Sequence, residues 1–508
     1  MSSSLQTHLQ RHFGYEAFRP GQEDIIRGVL TGENVLGVLA TGGGKSITYQ
    51  LPALMLPGIT VVVSPLISLM MDQVQQMRAQ RRIAATYLNS LLEPADMRDV
   101  MREIENGMYK LVYISPEKLQ QTFVQTMLRK VGVSFIAIDE AHCISQWGHD
   151  FRTDYLRLPE VVRALGNPPV LAVTATATTA VREEICDLLK IKPEHVVLQS
   201  LNRKNIAIDV IPVMDESERR AQVLHQMDEW KGQGIVYCTT RQAVEVLVAT
   251  YQLEGKRKVH AYHGGMNSME RMLIQQQFLS GELDMIVATN AFGMGIDKPD
   301  IRFVIHYQLP ASMEAYVQEI GRVGRDGEAG YAALYYTWED VQIHQYMIER
   351  EYPTRRQIDL LSELLRQQQP LTTEALASIE MTPEMAELLV FYAQRVNASY
   401  RDEVAASLDT RSELRDHADR VYRELERRKL LKQRKLAEMI RFAEERENCL
   451  RKRINGYFGE TGHDYTLQCC SVCGLERSLY KDNRQTMNTG RKETSWDLRQ
   501  ALSVLLPK

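Results

Sequence analysis

Lys45 is the residue from which the chemistry of this chain is most readily read. It sits in the run Ala40-Thr-Gly-Gly-Gly-Lys-Ser46, which follows an apolar stretch at 35–39 and precedes Ile47-Thr-Tyr-Gln-Leu-Pro52. A strand that enters a glycine turn and then a helix makes an anion cradle. Glycines let successive backbone N–H groups face one anion, the helix N-terminus adds partial positive charge, and an ammonium reaches the outer phosphates. Thr41, Gly42, Gly43, Gly44 and Lys45 thus read as a phosphate loop, with the Ser46 hydroxyl offered to Mg²⁺. The strict spacing G-x-x-x-x-G-K-[ST] is broken at its first position, where Leu39 stands. The missing half comes later: the apolar strand Phe135-Ile-Ala-Ile138 ends in Asp139 and Glu140. One acid holds the metal and the other polarises the attacking water, so the pair of motifs predicts an NTPase.

The elements that must position these groups follow from short β-branched runs alternating with helical stretches. Candidate strands fall at 35–39, 60–64, 111–114, 135–138 and 170–174, and again at 234–238, 258–262, 284–288, 302–306 and 331–336. This is the α/β pattern of parallel sheets with helices on both faces. Two sheets in tandem, joined near 200–205, predict two similar lobes with a cleft between them. Beyond Trp338 the strand signals stop. Residues 339–456 read as mostly helical, broken at Pro353, Pro370 and Pro383, with amphipathic stretches at 358–366 and 420–447.

Composition agrees with a soluble protein of several domains: 508 residues, 44% hydrophobic and 25% charged. No apolar run approaches the length of a membrane span, and no basic-then-apolar leader opens the chain, so neither membrane nor secretion is expected. Three of the seven cysteines crowd into Cys469, Cys470 and Cys473, which suggests metal in a reducing compartment. A net charge of −4 excludes capture of nucleic acid by the whole surface, but 12 Lys/Arg against 6 Asp/Glu between Arg423 and Arg453 make a local basic patch.

Further segments complete an ordered pattern. They are Phe13-Gly-Tyr-Glu-Ala-Phe-Arg-Pro-Gly-Gln22, Ser64-Pro-Leu-Ile-Ser-Leu-Met-Met-Asp-Gln73, Asp139-Glu-Ala-His-Cys-Ile-Ser-Gln-Trp-Gly-His-Asp-Phe-Arg152 and Thr174-Ala-Thr-Ala177. In the second half come Tyr262-His-Gly-Gly265, Ala288-Thr-Asn-Ala-Phe-Gly-Met-Gly-Ile-Asp297 and Gln318-Glu-Ile-Gly-Arg-Val-Gly-Arg325. In order and spacing, from about residue 13 to 473, the chain closely resembles the RecQ family of superfamily 2 DNA helicases. The resemblance implies two tandem RecA-like lobes at 1–202 and 203–340, a helical region at 341–419, a helical zinc-binding module at 420–480 and a tail at 481–508. It implies ATP, Mg²⁺ and Zn²⁺ as cofactors and single-stranded and duplex DNA as partners. By the same resemblance, translocation is expected to run 3′ to 5′ along one strand, in repair, recombination or replication. Single-strand-binding or recombination proteins are further expected partners, and the bacterial cytoplasm, on the nucleoid, is the expected place.

The resemblance also assigns roles. Tyr15 and Gln22, with Arg19 in support, select ATP; a glutamine amide can donate to and accept from an adenine edge, and a tyrosine offers a stacking face. Asp139 and Ser46 hold Mg²⁺, Glu140 orients water, and Gly293 and Asp297 line the nucleotide from the second lobe. Gln318, Arg322 and Arg325 act from that lobe too, the arginines stabilising charge on the γ-phosphate. They lie three apart, on one face if the stretch is helical. Val323 stands where the family usually has Ala, and a β-branched residue beside the fingers predicts slower closure. Trp147, Phe151 and Arg152 mix stacking and cationic groups directly after the acids, and are expected to couple DNA binding to hydrolysis.

Cys449, in Glu447-Asn-Cys-Leu-Arg-Lys-Arg-Ile-Asn-Gly-Tyr-Phe-Gly-Glu460, resembles the first part of the family's zinc module, closed by Cys469, Cys470 and Cys473. Four thiolates satisfy tetrahedral Zn²⁺. Only Cys470-x-x-Cys473 has the common knuckle spacing; Cys469 and Cys470 must both turn inward, and His463 is a competing ligand. Cys143, Cys186 and Cys238 read as ordinary buried thiols. Segments opening at Leu371 and Thr382 look like capped helices of a winged-helix pair. About 35 residues follow Cys473, too few for another folded domain. Two rivals remain at this stage: an RNA helicase or non-unwinding translocase, and a zinc-stabilised scaffold with a degenerate ATPase.

Overall fold

The computed structural model describes residues 2–145, 153–293, 296, 298–366, 378–382, 385–386, 388–389, 391–392, 411–461 and 468–482. Trp147, Phe151, Arg152, Asp297, His463, the breaks at Pro370 and Pro383, and most of the winged-helix segments lie outside these residues. Among the described residues no helix is long and apolar enough to cross a membrane.

The first lobe is a seven-stranded sheet of β1 (Val35–Val38), β2 (Ile59–Val63), β3 (Ala85–Leu88), β4 (Leu111–Ile114), β5 (Val133–Ile138), β6 (Val170–Thr174) and β7 (Val196–Leu198), in the order β3-β4-β2-β5-β6-β1-β7. Every pairing is parallel, and the runs are apolar on both faces because helices cover both. The second lobe holds β8 (Ile206–Pro212), β9 (Gln233–Tyr237), β10 (Val259–Tyr262), β11 (Met285–Ala288), β12 (Ile301–His306) and β13 (Gly330–Tyr336), in the order β10-β11-β9-β12-β13-β8, again all parallel. The phosphate loop leaves β1 and the acids leave β5, with β6 between them, so both emerge at the carboxyl end of the same parallel sheet, one strand apart.

Three strands escape the sequence reading: β3, β7 and β8. The first two are short, and β7 is a half-buried edge. β8 carries Asp209 in its middle, which breaks the apolar pattern. That carboxylate is fully buried and is answered by Arg477, with Nε and Nη2 at 2.6 and 3.0 Å from its two oxygens. The docking of residues 468–482 on β8 is completed by a parallel bridge from Cys470 to Ile208, and that of Lys481 on Trp230 by an antiparallel one.

Beyond β13, Thr337 and Asp340 form a capping box that starts the helix Trp338–Glu351, which ends before Pro353. The helix Arg355–Arg366 follows, and the helix Arg411–Ala443 runs back along the second lobe, with Lys435 Nζ 2.7 Å from Glu314 and Phe442 packed on Tyr316. One continuous helix therefore spans residues 411–443, crossing the expected boundary at 419/420 and ending before 447.

Val323 points away from the cleft. Its side chain is fully buried in the second lobe's core, and Gly330 makes the room: a Cβ on Gly330 would lie 2.0 Å from Val323 Cγ1. We expect Gly330→Ala to cost about 1–3 kcal/mol through overpacking, with Val323→Ala restoring most of the loss in the double variant. Thermal melting of the four proteins checks it. An unaffected Gly330→Ala protein would remove the packing account of Val323.

Candidate active site

The phosphate loop departs from β1 through buried Leu39, so the position that breaks the strict motif serves the core. Gly42 and Gly44 have φ of 80° and 75°, left-handed values that side chains disfavour. Three loop carbonyls are taken from outside. The Gln22 amide donates to Gly43 O at 3.1 Å and Gly44 O at 3.0 Å, and the Arg19 guanidinium donates to Gly42 O. In a trans peptide the following N–H points the opposite way, so the N–H groups of Gly44 and Lys45 face away from Gln22. Gln22 Oε1 accepts the Arg19 N–H at 2.8 Å. Both amide hydrogens and one lone pair of Gln22 are therefore committed here. Its place in this structure is to brace the loop, whereas Tyr15 keeps an exposed ring.

Asp139 and Glu140 stand at the end of β5. Glu140 takes a left-handed backbone (φ 49°), and its N–H donates to Asp139 Oδ1 at 3.0 Å. Glu140 Oε1 lies 3.0 Å from Lys45 Nζ. Burial works against the Lys45 charge, but the carboxylates of Glu140 and Asp139 outweigh it and hold the ammonium's pKa above its ordinary value. Burial pushes the Asp139 carboxyl up to about 6, with the Glu140 charge adding to it and Lys45 opposing. A buried carboxylate at the same carboxyl end of the sheet as the loop that carries Ser46 fits a hard divalent cation such as Mg²⁺. His142 Nδ1 meets Thr174 Oγ1 at 2.9 Å, tying the acid segment to the Thr-Ala-Thr segment after β6.

From the second lobe, the helix Met313–Ile320 carries buried Gln318 and stops before the arginines. Arg322 and Arg325 lie on turns beyond the helix, not on one helix face, and between them Gly324 takes φ 56° and donates its N–H to Ile301 O at 2.8 Å. Arg322 is buried and donates to Gly293 O, where φ is 138° and a Cβ would meet the guanidinium carbon at 2.6 Å. Arg325 donates to Ile296 O at 2.5 Å and lays its stem over Gly42, whose Cβ would come within 3.1 Å of Arg325 Cγ. The second lobe thus delivers an arginine onto the phosphate loop. Across the cleft, Gln275 also donates to Asp72 at 3.2 Å. Arg203 and Arg451, which join these parts, were missed in the sequence; the linker offers no pattern that distinguishes them from solvated arginines.

The four cysteines come together, their sulfurs all within 4.8 Å of one another. Cys449 Sγ is 3.6 Å from Cys469 Sγ and 4.0 Å from Cys470 Sγ. A tetrahedron with Zn–S bonds of about 2.3 Å has edges of about 3.8 Å, so the set fits Zn²⁺. Adjacent Cys469 and Cys470 both turn inward because the segment bonds to β8: Ile208 N–H donates to Cys469 O at 3.2 Å and Ser471 N–H to Ile208 O at 2.9 Å. Gln468 before them takes φ 66°. A hydrogen bond from Cys469, aided by backbone N–H groups of Cys473 and Leu450, holds the Cys470 thiol at about 4 against the effect of burial. Cys143 and Cys238 are buried and Cys186 is half-buried, away from this cluster.

Comparison with known proteins gives three family matches: DEAD/DEAH box helicase over residues 19–185, helicase conserved C-terminal domain over 217–327, and RecQ zinc-binding over 410–474. The chain is 40% identical over 481 residues to the probable ATP-dependent DNA helicase RecS of Bacillus subtilis, covering 94% of each. It is 42% identical over 356 residues to the ATP-dependent DNA helicase RecQ of Pasteurella multocida, covering 70% of this chain and 55% of that one. Among solved structures, the Mycobacterium smegmatis helicase Lhr bound to ssDNA and AMP-PNP shares the fold, with a TM-score of 0.53 and 20% identity, over 75% of this chain and 55% of that one.

Purified protein should hold one Zn²⁺, lost from each of the single Cys→Ser variants at 449, 469, 470 and 473 and kept in His463→Ala. Elemental analysis reads this directly. Full zinc in Cys469→Ser together with loss in His463→Ala would overturn the four-sulfur set.

Proposed function

This chain belongs to the RecQ family of ATP-dependent DNA helicases, and from that premise we propose that it unwinds duplex DNA by moving 3′ to 5′ along one strand. ATP, Mg²⁺ and Zn²⁺ are its cofactors. The observation that carries the site reading is the convergence on one phosphate loop of Lys45, Asp139 and Glu140 from the first lobe and Arg325 from the second. In this reading Ser46 and Asp139 hold Mg²⁺, which supplies charge neutralisation at the phosphates. Lys45 takes the outer phosphates, Glu140 accepts a proton from the attacking water, and Arg322 and Arg325 offset charge that grows as the bond to the leaving phosphate breaks. Gln318 sits in the same segment, buried beside them. Tyr15 stacks on the base, while Gln22 and Arg19 hold the loop in shape. Gly293 allows the close approach of Arg322, and Asp297 belongs to the same motif.

The aromatic and cationic groups of Trp147, Phe151 and Arg152 suit unpaired bases and the backbone of a single strand, and they follow the acids by only a few residues. That proximity supports a role in coupling strand binding to hydrolysis. The same reading keeps the lobes at 1–202 and 203–340 and starts the arm of the zinc module at residue 411. Single-strand-binding or recombination proteins are proposed partners, and the nucleoid the proposed place of action.

Strand displacement on DNA and RNA duplexes with either overhang tests the assignment. Displacement of DNA from a 3′ overhang is expected. Glu140→Gln should bind ATP normally but lose about 10²-fold or more in turnover. Displacement only from a 5′ overhang, or only of RNA, would contradict the proposal.

A further inference from the structure

Between the lobes the chain passes through Leu201-Asn-Arg-Lys-Asn205, and one side chain of this linker touches both halves of the site. The Arg203 guanidinium donates to four backbone carbonyls. One is Thr41 O of the phosphate loop, at 3.1 Å. The others are Gly321, Val323 and Gly324, at 3.1, 2.9 and 2.6 Å. These last three belong to the loop that carries Arg322 and Arg325. They follow directly on the helix Met313–Ile320, whose final carbonyls carry partial negative charge and favour a cation. The Asn205 amide supports the same loop, donating to Gly324 O at 2.8 Å and Glu328 O at 2.7 Å. The two loops are almost in contact, since a Cβ on Gly321 would lie 3.0 Å from Thr41 Cβ.

The linker is itself held from the zinc module. Arg451 is 3% exposed. Its Nη1 donates to Arg203 O at 2.8 Å and to Asn202 Oδ1 at 2.9 Å, and its Nη2 to Ile206 O and to Cys469 O at 3.4 Å. One guanidinium therefore spans from the peptide of a zinc-cluster cysteine to the peptide of Arg203. Glu460 grips the linker from the same side, accepting the Leu201 N–H at 2.7 Å.

We propose that Arg203 is a positioning residue for ATP hydrolysis, setting the Arg322–Arg325 loop against the phosphate loop, and that the zinc module acts on the ATP site through the hold of Arg451 on the linker. The inference rests on the reading of Arg322 and Arg325 given above. Arginine suits the position for its shape as well as its charge. A planar fork with five donors reaches carbonyls on both sides, whereas an ammonium places three donors on one atom. Lysine at 203 keeps the charge and loses the span. A catalytic group displaced by about 1 Å costs about 10²-fold in rate, so the effect belongs in turnover and not in nucleotide affinity.

The test uses the full chain, with DNA-stimulated turnover and the Kd for a fluorescent ATP analogue measured separately. Arg203→Lys should lose about 10- to 100-fold in kcat, with Kd and melting temperature near wild type. Arg451→Gln should retain zinc by elemental analysis and lose kcat in the same way. The double variant should be no slower than Arg203→Lys alone, since both act on one contact. Asn205→Ala should show a smaller loss with the same signature, which gives the answer if Arg203→Lys is unstable. Wild-type kcat in Arg203→Lys or in zinc-loaded Arg451→Gln, losses that multiply in the double variant, or loss of zinc from Arg451→Gln would each overturn the proposal. Glu140→Gln run in parallel separates the two levels. Turnover by that variant would bring down the reading of the site itself, whereas an inert Glu140→Gln beside a fully active Arg203→Lys removes only the positioning role.

Discussion

The ion pair between Lys45 and Glu140, 3.0 Å apart and largely buried, is the interaction on which the rest of the site depends. Each partner satisfies a charge that the interior would otherwise penalise. In the proposed reading, triphosphate would bring negative charge of its own to Lys45 and release Glu140 to act on water. Substrate binding and freeing of the base would then be one exchange of partners. The neighbouring Asp139, whose carboxyl burial pushes up to about 6, is short of positive charge until a cation arrives.

The remaining charge comes from across the cleft. Arg325 lies over Gly42, and its positive charge works against the Lys45 ammonium nearby. Two cations side by side repel each other and are favourable around a polyanion. In the proposed reading, a polyanionic ligand would bias closure of the lobes, as a population shift requires. The linker and the zinc module fit into this scheme as the parts that limit how the two loops can move. Arg203 and Asn205 bond to backbone carbonyls, and so does Arg451 apart from its bond to Asn202 Oδ1, so they fix chiefly the path of the chain.

Much of this was legible in the sequence because the signals are local. The glycine turn after β1 and the acids after β5 are each written in a few consecutive residues, and β-branched runs mark ten of the thirteen strands. What stayed hidden depends on partners far along the chain. β8 was obscured by Asp209, whose compensation by Arg477 is 268 residues away. The bracing of the phosphate loop by Gln22 stayed hidden because its amide reaches two carbonyls 21 and 22 residues on. The arginines at 322 and 325 fall beyond the helix, which ends at Ile320, and Gly324 then turns the chain toward β12. The paired Cys469 and Cys470 face inward through bonding to β8, which no spacing rule foretells.

The central claim is that hydrolysis requires charge from both lobes at once. Arg325→Lys tests it most directly, by single-turnover ATP hydrolysis on saturating single-stranded DNA alongside direct measurement of nucleotide affinity. An arginine that acts only on the transition state is worth about 10³-fold or more in rate. The account predicts a loss of that order with affinity nearly unchanged. A wild-type rate, or a loss confined to nucleotide binding, would show that the second lobe shapes the pocket without taking part in the chemistry.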